Sequence, residues 1–318
     1  MLGKLVNRPP QYPKGEFMVK VGIIAERRYL SQSMPAAALD ALEARGVWVD
    51  LICPDTARFT PETGLVHVAQ DGWTFDLNDY DVVVSRNRNG LGLAMLSYAE
   101  AAGILTINSH ASTERIRNKA TMAVWLSRAG LMCPPTILAR DASMLADLPR
   151  SSFPLILKPT YGDNSQGLQL VRRPEDLETV EWSDDLLLAQ QYLPSDGFDL
   201  KLYVCGRSVF AVYKPTPFNG DLAAAPRPVQ ATPAMVDLAL RCGATFGLEI
   251  YGVDTIETPE GLAVIEVNEF PNFTGVPDAG ECIADYVLAR ARLYRAQKGA
   301  ARVTLPSAYR VPAAAFAN

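Results

Sequence analysis

The sequence predicts an α/β protein that begins with a parallel α/β unit and continues with α+β units. Two observations support this prediction. Over residues 19–108, short β-branched runs alternate with helical patterns, which is typical of parallel strands joined by helical crossovers. Over residues 155–267, strand patterns follow one another with few helices between them. The 318 residues are enough for two or three such units.

The N-terminal unit opens with a β-α-β pattern. Residues 19–24 form a β-branched run, and Pro35 then opens a helical pattern that ends at Gly46. Proline favours the first helical position, and glycine favours the position after the last. Residues 47–52 read as the second strand. A strand, a helix and a strand follow at 81–85, 91–102 and 105–107.

Two further units follow the first. Ser112 and Thr113 can cap a helix that runs to Ala129. Strands are predicted at 155–158, 168–171, 186–191, 200–204, 209–213, 253–258 and 262–267, with helices from Pro174, over 233–246 and ending near Arg295. The predicted domains are 18–108, 109–190 and 191–298, between a flexible extension at 1–17 and a tail at 299–318.

Composition and charge narrow the possible partners. The net charge of −5 at pH 7 argues against a nucleic-acid binder that works through bulk positive charge. No apolar run approaches the roughly 20 residues that a membrane helix needs. The five cysteines are scattered without a CxxC pair, so a zinc or redox motif is not supported. We therefore expect a cytoplasmic protein with reduced cysteines that binds neither nucleic acid nor membrane.

The segment 154–171 combines a lysine with a glycine-bearing loop. A buried strand ends at Lys158, and a loop with Gly162, Ser165 and Gly167 follows. A lysine at a strand end can point at a phosphate, and glycines let a backbone close over phosphates. The loop has neither the GxxxxGK[ST] spacing of a Walker A motif nor a GxSxG nucleophile elbow. On spacing alone, an exposed polar hairpin is an equally good interpretation.

The segment 252–273 reads as two alternating strands around a turn. Asp254 lies on the first strand, while Glu266 and Asn268 lie two apart on the second and share one face. Oxygen-bearing side chains buried on an apolar hairpin are costly without partners. Because Mg²⁺ takes carboxylate, amide and phosphate oxygens, we favour a metal site here, with a solvent-facing acidic surface as the alternative.

Two weaker signals complete the set. A strand ending at Gln190, Gln191 and Tyr192 is followed by a turn and Asp199. Backbone groups after such a strand can read an adenine edge, and a carboxylate can accept from ribose hydroxyls, although an ordinary strand–turn–strand explains the pattern as well. Lys119 lies on a predicted helix, where a lysine is usually solvated.

Taken in order along the chain, these motifs resemble those of ATP-grasp enzymes. The pattern comprises Lys119, the 158–167 loop, Gln190-Gln191-Tyr192, Gly197-x-Asp199 and Gly252-x-Asp254…Glu266-x-Asn268. It is similar to the RimK-like branch, which includes glutamate-adding ligases and the LysX ligases of lysine biosynthesis, and it covers residues 19–295. The resemblance implies an ATP-grasp fold with an N-terminal parallel α/β pre-ATP-grasp domain, in which ATP lies between two α+β units.

The resemblance also implies ligands, roles and chemistry. The expected cofactors are ATP and one or two Mg²⁺ ions, with Mn²⁺ as a substitute. The chemistry phosphorylates a small-molecule carboxylate with ATP, and the amine of an amino acid or peptide then displaces the phosphate; related ligases often form homo-oligomers. By position, Lys119 and Lys158 are expected to contact the phosphates, and Ser165 and Gly167 to belong to the loop that closes over them. Adenine is expected to contact Gln190, Gln191 and Tyr192, and ribose to contact Asp199. The expected metal ligands are Asp254, Glu266 and Asn268.

The catalytic candidates are basic residues, and some depart from the family pattern. The family often has Gly-x-Asp-x-Arg, and here Lys201 holds the basic position. A lysine keeps the charge but loses the bidentate fork of arginine. An Arg-Arg pair commonly follows the next strand, where this chain has Lys214-Pro215, and Arg227 is the nearest later arginine. Lys158, Lys214 and Arg227 are expected to balance charge on the γ-phosphate and the carboxylate.

Arg86 and Arg88 follow the strand at 81–85, where a parallel sheet presents its ligand loops. We expect them to bind an acidic substrate, although exposed arginines without a role explain them equally well. Three functions stay open: the carboxylate–amine ligase, which we favour, an ATP-grasp kinase that phosphorylates a hydroxyl, and a non-catalytic ATP-binding module. The complete metal set argues against the last, because binding alone does not require it.

Overall fold

The computed structural model describes residues 18–69, 72–162, 167–216 and 220–304, with side chains as far as residue 298. The predicted extension at 1–17, residues 305–318 of the predicted tail and Ser165 lie outside the described residues. Within those ranges, no helix is both long enough and apolar enough to cross a membrane.

The N-terminal part is built on a parallel sheet. Its elements are β1 (Lys20–Ala25), α1 (Ser33–Ala44), β2 (Trp48–Ile52), β3 (Ala57–Thr60), β4 (Leu65–Val68), β5 (Thr74–Asp76), β6 (Val82–Arg86), α2 (Gly90–Ala101) and β7 (Leu105–Ile107). The strands pair in parallel, as the β-α-β pattern predicted, and their order is β2-β1-β6-β7. β3, β4 and β5 form a separate antiparallel sheet. Strands of three or four residues are too short to show a clear period, so the sequence did not predict this sheet.

The single helix predicted after the first unit is two helices, α3 (His110–Arg117) and α4 (Lys119–Arg128). Between them, Asn118 has an extended backbone, with φ −87° and ψ 104°, and its side chain accepts a hydrogen bond from the Thr121 amide. Asparagine is a strong helix N-cap, so a new helix begins at Lys119. The cap of α3 is Ser109 rather than the predicted Ser112 or Thr113.

The central part is an antiparallel sheet with two different faces. It contains β8 (Thr136–Ala139), β9 (Leu155–Pro159), β10 (Gln169–Val171) and β11 (Leu187–Gln191), in the order β10-β9-β11-β8. Leu157 pairs with Ala189, and both enter an apolar cluster. Because side chains alternate along a strand, Lys158 and Gln190 project from the opposite face. The helix predicted from Pro174 is a short 3₁₀ turn, Pro174–Thr179.

The C-terminal part is a larger antiparallel sheet. It consists of β12 (Phe198–Cys205), β13 (Ser208–Pro215), β14 (Arg227–Val229), α5 (Pro233–Phe246), β15 (Ile250–Thr258), β16 (Gly261–Glu269) and α6 (Ala279–Thr304), with strand order β14-β13-β12-β15-β16. One side of the sheet, which we call the core face, presents Leu200, Leu202 and Val253 to the cluster that contains Phe246 of α5. α6 returns to the N-terminal part, where it packs against α1.

Candidate active site

The side of the C-terminal sheet opposite the core face carries polar residues, and we call it the cleft face. Asp199 pairs with Lys214, Lys201 with Asp254, and Asp254 with Glu266. Residues paired directly across strands point to the same side, as do residues two apart along a strand. A cleft of about 600 Å³ lies over this face. It brings together the predicted residues Asp199, Lys201, Lys214, Asp254, Glu266 and Asn268.

A β-bulge in β16 shapes this face. Asp254 pairs with Glu266, whereas the next residue of β15 pairs with Val264, which leaves Ile265 unpaired in the ladder. Bulges bend a strand and re-aim its side chains. Ile265 and Glu266 both line a small cavity that also contacts Lys158 of the central sheet. The bulge therefore helps to bring the two facing sheets together around one space.

Lys201 is a cation placed between two carboxylates. Its Nζ lies 2.7 Å from Asp254 Oδ2 and 3.7 Å from Asp199 Oδ2. Burial favours the neutral amine, but the nearby carboxylates outweigh it and hold the pKa of Lys201 above its usual value. Burial raises the pKa of Asp199, and its Oδ1 has no hydrogen-bond partner among the described residues. Such a buried acceptor calls for a donor from a ligand, and a ribose hydroxyl would supply one.

The other two predicted metal ligands also contact cations. Lys119 Nζ donates to Glu266 Oε1 at 2.7 Å and to the Gly162 carbonyl at 2.8 Å. Burial opposes ionisation of Glu266, but the cations around it, with Lys119 foremost, lower its pKa. Arg88 Nη2 donates to Asn268 Oδ1 at 3.0 Å. Each of the three predicted metal ligands therefore has one oxygen atom in contact with a positive group in this structure.

Lys158 faces this array from the central sheet. It is only 6% exposed, and its Nζ donates to Gln190 Oε1. Gln190 in turn donates to Thr136 Oγ1 at 3.2 Å. Burial lowers the pKa of Lys158 to about 8. A buried lysine without an ion-pair partner among the described residues is suited to a phosphate, whose charge would favour the protonated form.

Arg86 reaches the cleft from the C-terminal end of β6. Its Nη2 donates to Gln32 Oε1, and its Nη1 donates to the Met34 carbonyl and, at 3.4 Å, to Asn272 Oδ1. Burial lowers the pKa of Arg86 to about 10. The guanidinium lines the cleft, but protein groups already hold it from several sides. Its geometry fits a residue that fixes the loop after β16 beside the N-terminal sheet.

Arg88 links the N-terminal part to β16. Besides Asn268, it contacts Glu269, with Nε 3.0 Å from Oε1. Glu26 accepts hydrogen bonds from the backbone amides of Arg88 and Asn89, which fixes the start of this loop. Arg88 therefore joins the end of β6 to the predicted metal site.

Lys214 is a cation of a different kind. It is half-buried on the cleft face, and no described residue forms a hydrogen bond or ion pair with its ammonium group. Burial lowers its pKa below the usual value. An unpaired cation beside the predicted metal ligands is available to an anionic substrate.

The predicted adenine residues divide between two sides of β11. Gln190 faces the cleft, whereas Gln191 pairs with Leu155 and points the other way because side chains alternate. The Tyr192 amide donates to the Pro154 carbonyl at 2.9 Å. Gly167 has a φ of +73°, a left-handed conformation that favours glycine. Gln190 therefore offers its side chain to the space beside Lys158, whereas Gln191 does not.

Arg227 lies apart from the other catalytic candidates. It is exposed at the edge of the sheet on β14 and pairs with Tyr213, so it projects toward the core-face side. Its guanidinium carbon lies 4.0 Å from the ring centre of Phe198 and 5.6 Å from that of Tyr213. Lys214, the next residue of β13, projects to the cleft face. The structure does not bring Arg227 together with Lys214.

Several residues that contact the site were not singled out from the sequence. Most of these residues come from segments distant in sequence from the residues they contact, so no local spacing marks them. Glu269 is different, because it directly follows the Glu266-x-Asn268 pattern, and that position was a usable signal. They are Glu26, Gln32, Thr136, Ile265, Glu269 and Asn272.

The oxygen atoms of the cleft face fit a magnesium site. Asp254, Glu266 and Asn268 offer two carboxylates and an amide from adjacent strands. Among the described residues there is no group of three or more His, Cys, Asp or Glu placed to hold a metal, so a metal held here would take oxygens from two carboxylates and the Asn268 amide. A set made only of oxygen donors suits Mg²⁺, which retains waters and shares phosphate oxygens.

Two α+β units thus face each other, with buried lysines and a set of oxygen ligands between them. This arrangement is typical of ATP-grasp proteins. The family model for a RimK-like ATP-grasp domain matches residues 116–290, more than half of the chain. The chain therefore belongs to the RimK-like ATP-grasp family, and the assignment made from its motifs is confirmed.

Related proteins and solved structures support the same assignment. The probable alpha-L-glutamate ligase 1 of Shewanella amazonensis is 29% identical over 270 residues, which cover 79% of this chain and 88% of that protein. The RimK domain ATP-grasp protein of Sphaerobacter thermophilus has a TM-score of 0.65 at 20% identity, covering 85% of this chain and 100% of that chain. The ATP-grasp ligase PsnB, complexed with a minimal precursor, Mg and ADP, has a TM-score of 0.63 at 17% identity, with coverages of 86% and 98%. The predicted ATP-grasp fold is confirmed.

Proposed function

We propose that this chain converts a substrate carboxylate to an acyl phosphate with ATP and joins it to the amine of an amino acid or peptide. The chain is an ATP-dependent carboxylate–amine ligase. The observation that supports the proposed site is the convergence of cations and oxygen donors from the N-terminal and C-terminal parts of the chain on one cleft. Lys119 and Lys158 line an adjoining small cavity that shares Glu266 with this cleft. Similarity to a probable alpha-L-glutamate ligase favours an amino acid as one substrate.

Lys119 and Lys158 are proposed to hold the ATP phosphates. Lys158 is supported by its burial and by its lack of an ion-pair partner among the described residues. Lys119 begins α4, and its ammonium reaches the Gly162 carbonyl at the start of the glycine-bearing loop. Gln190, whose side chain lines the small cavity beside Lys158, is the proposed adenine contact, and the unpartnered oxygen of Asp199 supports a ribose contact.

Asp254, Glu266 and Asn268 are the proposed ligands for Mg²⁺, or for Mn²⁺ in its place. The metal would neutralise charge on the phosphate oxygens when it is bound with the nucleotide. No protein nucleophile is needed, so the residues act by positioning the reactants and balancing their charge.

Lys214 is the proposed binding group for the substrate carboxylate, because it is the cleft-face cation that described residues leave unpaired. Arg88 and Arg86 border the same cleft. Arg86 is proposed to orient the substrate pocket through Gln32 and Asn272 rather than to bind substrate alone. Arg227 is left out of this proposal because it projects from the other side of the sheet.

The proposed compartment is the cytoplasm. All five cysteines are free thiols in the structure, as expected for a protein kept in a reducing environment.

Hydroxylamine trapping tests the proposal. The protein is incubated with ATP, Mg²⁺ and pools of amino acids, dipeptides and small carboxylic acids, and ADP and hydroxamate are measured, since hydroxylamine traps acyl phosphates. We expect hydroxamate that depends on the acid and disappears in Glu266→Ala. ADP with a stable phosphorylated product and no hydroxamate would instead establish phosphorylation of a hydroxyl.

A further inference from the structure

The pairing of the predicted metal ligands with cations has a consequence beyond the ligase reaction. Lys201 Nζ is 2.7 Å from Asp254 Oδ2, and the Lys201 side chain is only 16% exposed. Lys119 contacts Glu266 at 2.7 Å. A metal ion that takes Asp254 Oδ2 or Glu266 Oε1 competes with the ammonium group that contacts that oxygen.

We propose that Lys201 is an internal counter-ion that makes the cleft bind divalent metal together with nucleotide and disfavours the free ion. This inference rests on the proposed function, because it takes Asp254 as a metal ligand. When a free ion binds Asp254, Lys201 loses its 2.7 Å contact and keeps only the longer 3.7 Å contact with Asp199, which is costly in a buried setting. When metal and nucleotide bind together, the phosphates offer Lys201 a new anionic partner.

Lys201 is better suited to this exchange than the other two cations. Lys119 also donates to the Gly162 carbonyl, and Arg88 also binds Glu269, so both keep a partner after displacement. Among the described residues, the ion-pair partners of Lys201 are Asp254 at 2.7 Å and Asp199 at 3.7 Å, so displacement from Asp254 leaves it only the longer contact. A lysine has a flexible four-carbon stem and a compact charge, which allow it to swing between partners more freely than the planar fork of an arginine.

The test measures Mn²⁺ affinity by electron paramagnetic resonance, which detects free Mn²⁺ and needs no turnover. Titrations of the full chain are made with and without a non-hydrolysable ATP analogue. Lys201→Met should bind Mn²⁺ without nucleotide about tenfold more tightly than the unaltered chain, a typical size for coupling between two bound charges. With the analogue present, the advantage should shrink or reverse, because the variant lacks the cation that meets the phosphates.

Two matched variants show whether the effect belongs to the pairing. Lys201→Arg keeps the charge and should bind free Mn²⁺ within about threefold of the unaltered chain. Lys214→Met removes a cation of the same face, but this cation pairs with no described carboxylate. The variant should therefore tighten Mn²⁺ binding by no more than about twofold, as expected for a more distant screened charge.

Thermal unfolding checks that each variant is folded. The proposal is overturned if folded Lys201→Met binds free Mn²⁺ no more tightly than the unaltered chain, or if Lys201→Arg binds it as tightly as Lys201→Met. Asp254→Asn separates this failure from failure of the proposed function. If Asp254→Asn leaves Mn²⁺ binding with the analogue unchanged, Asp254 is not a metal ligand, and its proposed metal role and the counter-ion role of Lys201 both fall, whereas the ligase reaction is tested separately by hydroxylamine trapping.

Discussion

The two faces of the C-terminal sheet use the same strands but carry opposite chemistry. On β12, Asp199 and Lys201 project into the cleft, whereas Leu200 and Leu202, at 1% and 0% exposure, project into the core. The core face is stabilised by apolar burial against α5. The cleft face holds buried charges whose pairing contributes little net stability. Because side chains alternate with a period of two, neighbouring residues should affect activity and stability separately.

The largest effect is expected on the cleft face, from Glu266→Ala. It removes a proposed metal ligand and leaves Lys119 without its carboxylate, so kcat/KM should fall by about 10³-fold, the scale of a lost electrostatic contact in a transition state. Glu257→Ala is the matched control, because Glu257 is an exposed glutamate on the same hairpin. It lies two residues beyond Thr255, which pairs with Leu200 of the core face, so it points away from the cleft. Steady-state ADP release measures both. Equal losses in the two variants would contradict the separation of the faces.

The next effect belongs to the core face. Leu202→Ala removes a fully buried side chain next to Lys201, and it should lower the free energy of unfolding by about 2–5 kcal/mol, as large-to-small core changes do. Urea unfolding measures this loss. At temperatures where the variant stays folded, its KM for ATP should remain within about twofold, since core changes usually act on stability. A variant that is fully stable but inactive would refute the assignment of Leu202 to the core.

Lys158 gives a smaller, pH-dependent effect. Burial lowers its pKa to about 8 from the 10.5 of an ordinary lysine, so the free protein loses this cation as pH rises through 8. Affinity for a non-hydrolysable ATP analogue should then fall by at most about tenfold per pH unit. Between pH 8 and 10.5 the unfolded state binds the additional proton, so the Lys158 contribution to stability should rise with pH over the same window.

Calorimetric titration from pH 7 to 9.5 follows the affinity, and denaturant unfolding follows the stability. Lys158→Met should bind the analogue weakly and with a flat pH profile over this range. If Lys158→Met shows the same alkaline loss as the unaltered chain, another group causes it.

Local patterns in the sequence predicted the architecture well. The β-α-β pattern predicted a parallel sheet, because helical crossovers join parallel strands. The spacing of Glu266 and Asn268 predicted a shared face, because side chains alternate along one strand, and Asp254 pairs with Glu266 on that face. The break at Asn118 was missed, since a helix cap inside a helical pattern shows itself only through its hydrogen bond.

Contacts between distant segments could not be predicted in this way. Arg88 meets Asn268 across 180 positions of sequence, and no spacing rule links such pairs. Arg227 was grouped with Lys214 by proximity along the chain, but the pairing of β14 with β13 decides where it points. The assignment of a side chain to one face therefore needs the strand register, which the sequence alone leaves open.

The smallest effect should come from Arg227→Ala. Its guanidinium stacks on Phe198 at 4.0 Å, and loss of an exposed cation–π contact should cost about 0.5–1 kcal/mol of stability. If the two faces act separately, Arg227→Ala should change kcat/KM by less than about twofold, as for most surface substitutions.

Lys214→Ala is the comparison variant, because Lys214 lies on the neighbouring strand β13 and faces the cleft. Its loss should raise the KM for the carboxylate substrate by at least about tenfold, the scale of a charge-assisted hydrogen bond. Parallel substrate titrations of the two variants compare the faces directly. If Arg227→Ala raises that KM as strongly as Lys214→Ala, then the edge strand must bring Arg227 to the substrate in the working enzyme, and β14 would have to leave the register seen here.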